Sequence, residues 1–436
     1  MKQNKKNQIS RRKFIANTAA LSSFFILPRF VLGRGYTPPS DMITLGFIGT
    51  GRQAFTLQQA FLKTGEAKIL AGCDVYRQKL DAFARQTDEF YAKAADKQSY
   101  KACDSYSNFV ELLERKDIDA VVISSPDFWH ASMAVRAANA GKDIYCEKPL
   151  SLTVAEGRAI VNAVNKNKRI FQTGSMQRSW PEFRQTAELI RNGYLGDIKS
   201  IQVSVGNGPV PYDLPKEEIP SGLDWDLWLG PNKEYVHYNN LLNPALGNPT
   251  WGKWRDYKGM GGGDMTDWGA HMFDIVQWAL DMDRSGPVEI TPSGVNGAEA
   301  LTFRYANGIT MTKENFVKNR AIRFTGSKGT LDVQRRKLET NPAHLKDQVI
   351  GANEIHVYNS TDHYKDFLNA MRKRTQPVAD AETGHRSATV CNIGNIALEI
   401  NAHLKWDPVK EQFTNSKAAN KLLTRPMKKE WAVYAK

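Results

Sequence analysis

The sequence predicts an α/β protein in two parts. The first is a doubly wound parallel (Rossmann) sheet. The second is an α+β domain with a large, mostly antiparallel open sheet. Three observations carry this expectation. A buried-strand, glycine-turn, helix unit begins at residue 43, strands and helices alternate from 43 to 147, and an apolar/polar alternation of period two sets in at residue 198. A chain of 436 residues exceeds what one core usually organises, so two domains are expected. The divisions read as a leader over 1–40, a first domain over 41–170 and a second over 171–436, whose last helices can pack back on the first domain.

The leader explains the charge. It holds eight basic residues and no acid, which leaves +5 for the rest of a chain whose net charge is +13. The body therefore carries no basic stripe of the kind nucleic acid requires. Ser10-Arg11-Arg12-Lys13-Phe14-Ile15 resembles the twin-arginine export signal, and the apolar run from Ala16 to Leu27 is too short and too polar to span a bilayer. Val31-Leu32-Gly33 offers a cleavage site, and no nearby cysteine suggests a lipid anchor. The expectation is an exported, periplasmic protein that carries its cofactor with it. The four cysteines, at 73, 103, 146 and 391, have no metal-type spacing and predict no disulfide framework.

Ile43, Leu45, Phe47 and Ile48 form the first strand, and Gly49-Thr50-Gly51-Arg52-Gln53-Ala54 fits G-x-G-x-x-A ahead of a helix. Gly49 permits the tight turn, Gly51 admits a pyrophosphate to the backbone, and the helix N-terminus faces that anion. The next strand, AKILAGCD, ends on Asp74, 25 residues after Gly49. An acid there suits the adenosine ribose hydroxyls and disfavours a 2′-phosphate, so NAD is expected rather than NADP.

A helix follows Asp74, and a short one runs from Asn108 to Arg115. DAVVISS, 119–125, is a continuous apolar strand that ends in Ser125-Pro126-Asp127-Phe128-Trp129-His130. A helix over 131–140 leads to a strand at 143–146 and to Glu147-Lys148-Pro149. These two loop segments fall at strand carboxyl ends, where such sheets bind ligands. Further on come a helix over 152–165, a strand over 169–173, a helix over 181–192 and the alternating strand 198–206. Residues 207–260, rich in Pro, Gly, Asn and Trp, read as a long insertion over an open face. Three glycines then lead to one helix over 265–280 with Asp264 as its N-cap. Strands dominate 288–333, helices are expected over 363–372 and 387–403, and the last thirty residues read as irregular.

Two constellations suit chemistry. Asp264, Asp267 and His271 share one helix face, where a carboxylate beside an imidazole can raise its basicity and orient it as a general base. A metal reading of the same three lacks a fourth ligand, and no metal is expected. Lys148, at a strand end in the crevice, can stabilise a developing alkoxide. Trp225, Trp228, Trp251, Trp254 and Trp268 are read as core packing before sugar stacking.

GFIGTG, SSPDFWH, CEKPLS and GGGDMTDWGAH, in this order, resemble the glucose–fructose oxidoreductase/inositol dehydrogenase (Gfo/Idh/MocA) family. WDLWLGP and AETGHRSATVCNIGNIALEI resemble its secreted bacterial branch. The resemblance implies Lys148, Asp267 and His271 as catalytic residues. It also implies cofactor contacts from Gly49, Thr50, Gly51, Arg52, Gln53, Asp74, Ser125, Pro126, His130, Glu147 and Lys148. It further implies a NAD-dependent dehydrogenase acting on a sugar or glycoside, assembled as a homo-oligomer, dimer or tetramer, through its open sheet. Two other activities remain open: a NAD-dependent glycoside hydrolase working by transient C3 oxidation, and a non-catalytic sugar-binding protein. Glycosidases of this fold carry a tyrosine–histidine arrangement that GGGDMTDWGAH does not match.

Overall fold

The computed structural model describes residues 41–317 and 320–434, so the expected export leader, 1–40, lies outside the described residues. Six parallel strands form the first sheet: β1 (Ile43–Ile48), β2 (Ala67–Cys73), β3 (Asp104–Tyr106), β4 (Ala120–Ile123), β5 (Asp143–Cys146) and β6 (Phe171–Thr173). Their order is β3-β2-β1-β4-β5-β6. Every residue of β4 and β5 is buried, as a sheet covered on both faces requires. Helices α1 (Arg52–Lys63), α2 (Arg77–Ala94), α3 (Phe109–Glu114), α4 (Asp127–Asn139) and α5 (Val154–Lys166) provide the crossovers. The order reverses between β1 and β4, so the crevice opens where the turns after those two strands diverge.

After α6 (Pro181–Arg191), a mixed, mostly antiparallel sheet of nine strands follows: β7 (Ile198–Ser204), β8 (Glu289–Thr291), β9 (Leu301–Arg304), β10 (Thr310–Lys313), β11 (Ala321–Gly326), β12 (Thr330–Gln334), β13 (Lys337–Asn341), β14 (Leu404–Asp407) and β15 (Gln412–Phe413). The order is β13-β12-β11-β7-β10-β9-β8-β14-β15, and the one parallel pair is β7 with β10. Ile201, Val203, Met311, Phe303, Ile322 and Phe324 turn to one face and are completely buried there. The residues that alternate with them, such as Gln202, Thr312 and Arg323, stay half-buried.

The insertion packs on the first sheet's side of the molecule. After the short helix α7 (Trp225–Leu229), residues 230–260 have no long element. Leu223, Trp225, Trp228, Leu242, Trp254 and Met260 share one hydrophobic core with Val121, Phe128 and Trp129. Trp225 and Trp228 stack at 4.4 Å, so these two tryptophans are core.

The expected helix 265–280 is two helices, α8 (Asp264–Asp267) and α9 (Gly269–Ala279), interrupted at Trp268. Asp264 is not its N-cap. Gly263 holds that position at φ +70°, and Asp264 pairs instead with Arg320. A Cβ on Gly263 would meet the Asn207 carbonyl oxygen at 2.5 Å, so close backbone approach selects glycine there. Every residue of α9 is buried, between the second sheet and α11 (Ala381–Ile400), which follows α10 (His363–Lys373). Helix α11 starts six residues before its sequence pattern suggests, because the Asp380 side chain accepts from the Thr383 amide at 2.8 Å. The last thirty residues are not wholly irregular. They contain β15 and a short helix, Lys417–Lys421, capped by Ser416.

One buried ion pair fixes α9 beside the crevice. Arg178, 1% exposed, donates from Nε and Nη2 to Asp274 of α9 at 2.8 Å, and from Nη1 and Nη2 to Asp283. Ser387 of α11 donates to the same Asp274 carboxylate at 2.6 Å. Removing the guanidinium strands a carboxylate away from water. The Arg178→Leu variant is expected to lose about 3–5 kcal/mol of unfolding free energy, whereas Arg304→Ala, on an exposed pair, changes by less than about 0.5 kcal/mol. Denaturant midpoints of the two variants check this, and equal midpoints contradict it.

Candidate active site

The turn after β1 is built as its glycines require. Gly49 has φ +85°, and a Cβ there would lie 2.7 Å from the Ser125 amide nitrogen, inside contact distance of the loop after β4. Nothing lies within 4 Å of a Cβ built on Gly51, so the backbone is open at that point. Helix α1 has neither a side-chain cap nor an acid in its first turn, which leaves its terminal N–H groups free for an anion. These features fit a dinucleotide pyrophosphate.

A cleft of ≈ 710 Å³ runs from this turn. Gly49, Gly51, Arg52, Gln53, Asp74, Ser125 and Pro126 line one side of it. Thr50, His130 and Glu147 sit behind that wall. Thr50 is fully buried and donates from its amide and hydroxyl to one Asp74 oxygen, at 2.7 and 3.0 Å, while the Tyr76 amide donates to the other at 2.9 Å. Asp74 thus shapes the turn as well as facing the cleft. His130 is buried between two carbonyl oxygens, of Pro149 at 2.8 Å and Ser125 at 3.1 Å, and burial pushes its pKa down to about 4. It ties the loops after β4 and β5 together.

The far wall comes from the insertion. Asn243, Pro249, Trp251 and Arg255 face the glycine turn across the cleft. The Arg52 guanidinium lies 4.6 Å from the centre of the Trp251 ring and donates to the Pro249 carbonyl. Arg255 lies 5.1 Å from the same ring and 4.1 Å from that of Trp254. Lys79 of α2 donates to the Asn243 side chain. The insertion therefore clasps the cleft at two places.

Past Arg255 of the cleft's lining the loop after β5 meets α8, and Lys148, Asp267 and His271 lie there rather than among the residues that line the cleft. Glu147, 5% exposed, accepts from Gln53 Nε2 at 2.9 Å and from the Lys148 amide at 3.3 Å, and burial raises its pKa. Lys148 Nζ donates to the Asp267 carboxylate at 2.6 Å and to its carbonyl at 3.1 Å. Arg255 Nε is 3.7 Å from that carboxylate. Burial works to raise the Asp267 pKa, but Lys148 and Arg255 outweigh it and hold the carboxyl well below its usual range. His271 is 4% exposed, and neither ring nitrogen has a protein partner among the described residues. Burial first, then the charges of Lys148 and Arg335, push its pKa well below 6.5. The imidazole is neutral at pH 7.

The three predicted catalytic residues thus gather at one place, but not with the expected pairing. Asp267 bonds Lys148, not His271. Asp264 faces Arg320, and among the described residues no cluster of three His, Cys, Asp or Glu could hold a metal. Sequence reasoning missed Arg255 and Arg335. Burial outweighs the neighbouring Arg255 and pushes Asp127, in the first turn of α4, up to about 8. The Trp254-Arg255 pair was visible within the tryptophan cluster, but its position against Asp267 depends on tertiary contact alone.

Residues 43–175 match the NAD-binding Rossmann fold of the Gfo/Idh/MocA oxidoreductase family, and residues 204–433 match that family's C-terminal alpha/beta domain. A glycosyl hydrolase family 109 protein of Shewanella baltica is 29% identical over 238 residues, 50% of this chain and 51% of its own. An inositol 2-dehydrogenase of Salmonella agona is 30% identical over 161 residues, 37% of this chain and 43% of its own. The chain spans about half the length of the curated relatives it matches. A solved structure, levoglucosan dehydrogenase in complex with NADH, superposes with a TM-score of 0.55 at 17% identity, over 83% of this chain and 98% of that one. This likeness is one of fold. The two matched regions together take in the whole first sheet and every strand of the second but β7, and the chain belongs to the Gfo/Idh/MocA family of oxidoreductases, with NAD as the cofactor of its first domain.

Proposed function

We propose that this protein oxidises a secondary hydroxyl of a sugar or glycoside and does so with a NAD that stays bound between turnovers. When bound, the nicotinamide supplies a hydride acceptor at the inner end of the cleft. His271 takes the hydroxyl proton on a ring nitrogen. It is suited to this because it is neutral, buried and without a protein partner. Lys148 presents its ammonium to the same oxygen and stabilises the charge that develops as the proton leaves. Asp267 acts as a positioning residue: its bond to Nζ aims the amine. The observation that carries this reading is the Lys148–Asp267 contact beside an unpartnered His271.

The clasp supports the bound-cofactor part. To leave, a dinucleotide would have to part Arg52 from Trp251 and Pro249. A second, carbonyl-bearing substrate then enters the same site to collect the hydride. Such a cycle also suits the export expected from the leader, since no cytoplasmic nicotinamide pool serves an exported enzyme. A second reading has one specific support, the glycosyl hydrolase family 109 relatives. In it, the same oxidation is transient and the glycosidic bond is lost by elimination. Release of aglycone from an aryl glycoside without net reduction of the cofactor distinguishes it.

Lys148→Ala and His271→Ala are each expected to slow reduction of bound NAD by roughly 100-fold or more, read as reduced-nicotinamide absorbance in a single turnover. Wild-type rates in both remove the mechanism. The double variant Arg52→Ala, Trp251→Ala is expected to lose its nucleotide on gel filtration, while the wild-type protein keeps it. Mass spectrometry of the eluted protein decides this. Because burial depresses the His271 pKa, its basic form persists below pH 6.5, and kcat/KM should hold steady from pH 7 down past that value before falling. An acid limb centred above pH 6.5 contradicts the assignment of His271 as the base.

A further inference from the structure

The wall of the site behind His271 carries a cation that the mechanism leaves unused. Arg335 is the first residue of the two-residue turn between β12 and β13, and this hairpin brings it over Trp268 and Trp180, at 4.7 and 5.4 Å from their ring centres. Trp268 in turn lies 5.8 Å from the His271 ring. The guanidinium is therefore one aromatic ring away from the base. Its charge reaches both His271 and Asp267.

Arg335 differs from the other cations here. Lys148 and Arg255 face Asp267, Arg320 faces Asp264, and Arg178 faces Asp274 and Asp283. Arg335 has no carboxylate partner among the described residues. Its Nε donates to Gln177 Oε1 at 3.0 Å, and neither Nη atom has an acceptor among the described residues. An arginine can only donate, so this bond also fixes the Gln177 amide, with its oxygen toward Arg335 and its NH₂ facing away. That NH₂ is buried and unpartnered, on a residue with no exposed surface. The free hydrogen-bonding capacity of this wall is thus all donors: two guanidinium nitrogens and one amide nitrogen. A half-buried donor-only wall with one uncompensated positive charge calls for a ligand that only accepts and carries one negative charge. A carboxylate meets both conditions and fits the planar fork in two parallel bonds. A hydroxyl brings a proton that neither the Arg335 guanidinium nor the Gln177 amide nitrogen accepts. A phosphate dianion brings twice the charge the wall offers.

We infer that the substrate of this site is a sugar acid, a uronic acid or its glycoside, whose carboxylate is held by Arg335 and Gln177. The inference rests on the site being the sugar-oxidising site proposed above, and its test keeps the two apart. Methyl β-D-glucuronide, methyl β-D-glucoside and glucose 6-phosphate are titrated into NAD-loaded protein. Binding is followed by tryptophan fluorescence, since Trp180 and Trp268 flank the guanidinium, and reduction of bound NAD is followed separately. The glucuronide is expected to bind at least about tenfold more tightly than the glucoside and more tightly than the phosphate ester. In Arg335→Gln the glucuronide-to-glucoside ratio should fall to within about twofold. In Arg335→Lys it should fall part of the way, because the charge stays but the fork is lost. A glucoside or phosphate ester bound as tightly as the glucuronide overturns the inference, as does a ratio that survives Arg335→Gln. A glucuronide that binds preferentially but never reduces the cofactor overturns the redox reading and leaves the carboxylate site standing.

Discussion

The bond between Lys148 and Asp267 is the constraint on which the site depends. It joins a loop at the end of the parallel sheet to a helical turn that leads into the core of the other sheet, so both halves of the fold must be in place before it can form. A mostly buried ion pair contributes little to stability, because desolvation of two charges offsets most of their attraction. Its effect is on position and protonation. With Arg255 near by, Asp267 stays ionised despite burial, and its charge holds the ammonium toward the crevice. Because Asp267 is committed to Lys148, His271 is left neutral and unpaired. A neutral imidazole is the form a proton acceptor needs.

The surroundings make that arrangement rigid. Glu147 is wedged beneath the loop: a Cβ on Gly174 would come within 2.9 Å of its carboxylate, and Gln53 of the glycine turn donates to it. The glycine turn and Lys148 are thus tied through one buried acid. On the other side, Arg178 and Ser387 both bond Asp274, three residues after His271 on the same helix. Helix α11 seals the join. Its Glu382 accepts two bonds from Arg158 of α5, at 2.7 and 2.8 Å, so the last long helix packs back on the first sheet's crossovers.

Much of this was legible in the sequence. The parallel sheet follows from unbroken apolar strands between glycine turns, and Gly49, Asp74 and Lys148 fall where their motifs put them, because these depend on local backbone geometry. The pairing of Asp267 was misread. Its i,i+4 spacing to His271 is a local signal, and a lysine 119 positions away in the chain outcompeted it. The same limit hid Arg255 and Arg335, whose positions come from which loops meet. Asp264 failed as a cap for a similar reason. The turn before it approaches residues 207–208 so closely that only a glycine backbone fits, and that approach moved the helix start by one residue.

The insertion shows how one irregular segment can set the character of a common scaffold. A Rossmann turn alone holds a dinucleotide by hydrogen bonds to one edge, and such a ligand exchanges with solution. Here residues from the other side of the chain close over it, and the closure is made of arginine–tryptophan stacks, which hold their strength best where water is excluded. The same stacks bring Arg255 to within 3.7 Å of Asp267. Trp251 is thus shared between Arg52 of the glycine turn and Arg255 beside Asp267, and a displacement of Arg255 with that ring would withdraw a cation from Asp267. Its carboxyl pKa would rise toward the usual range, and its hold on Lys148 would weaken. The far wall of the cleft and the charge of Asp267 are therefore linked through that one arginine.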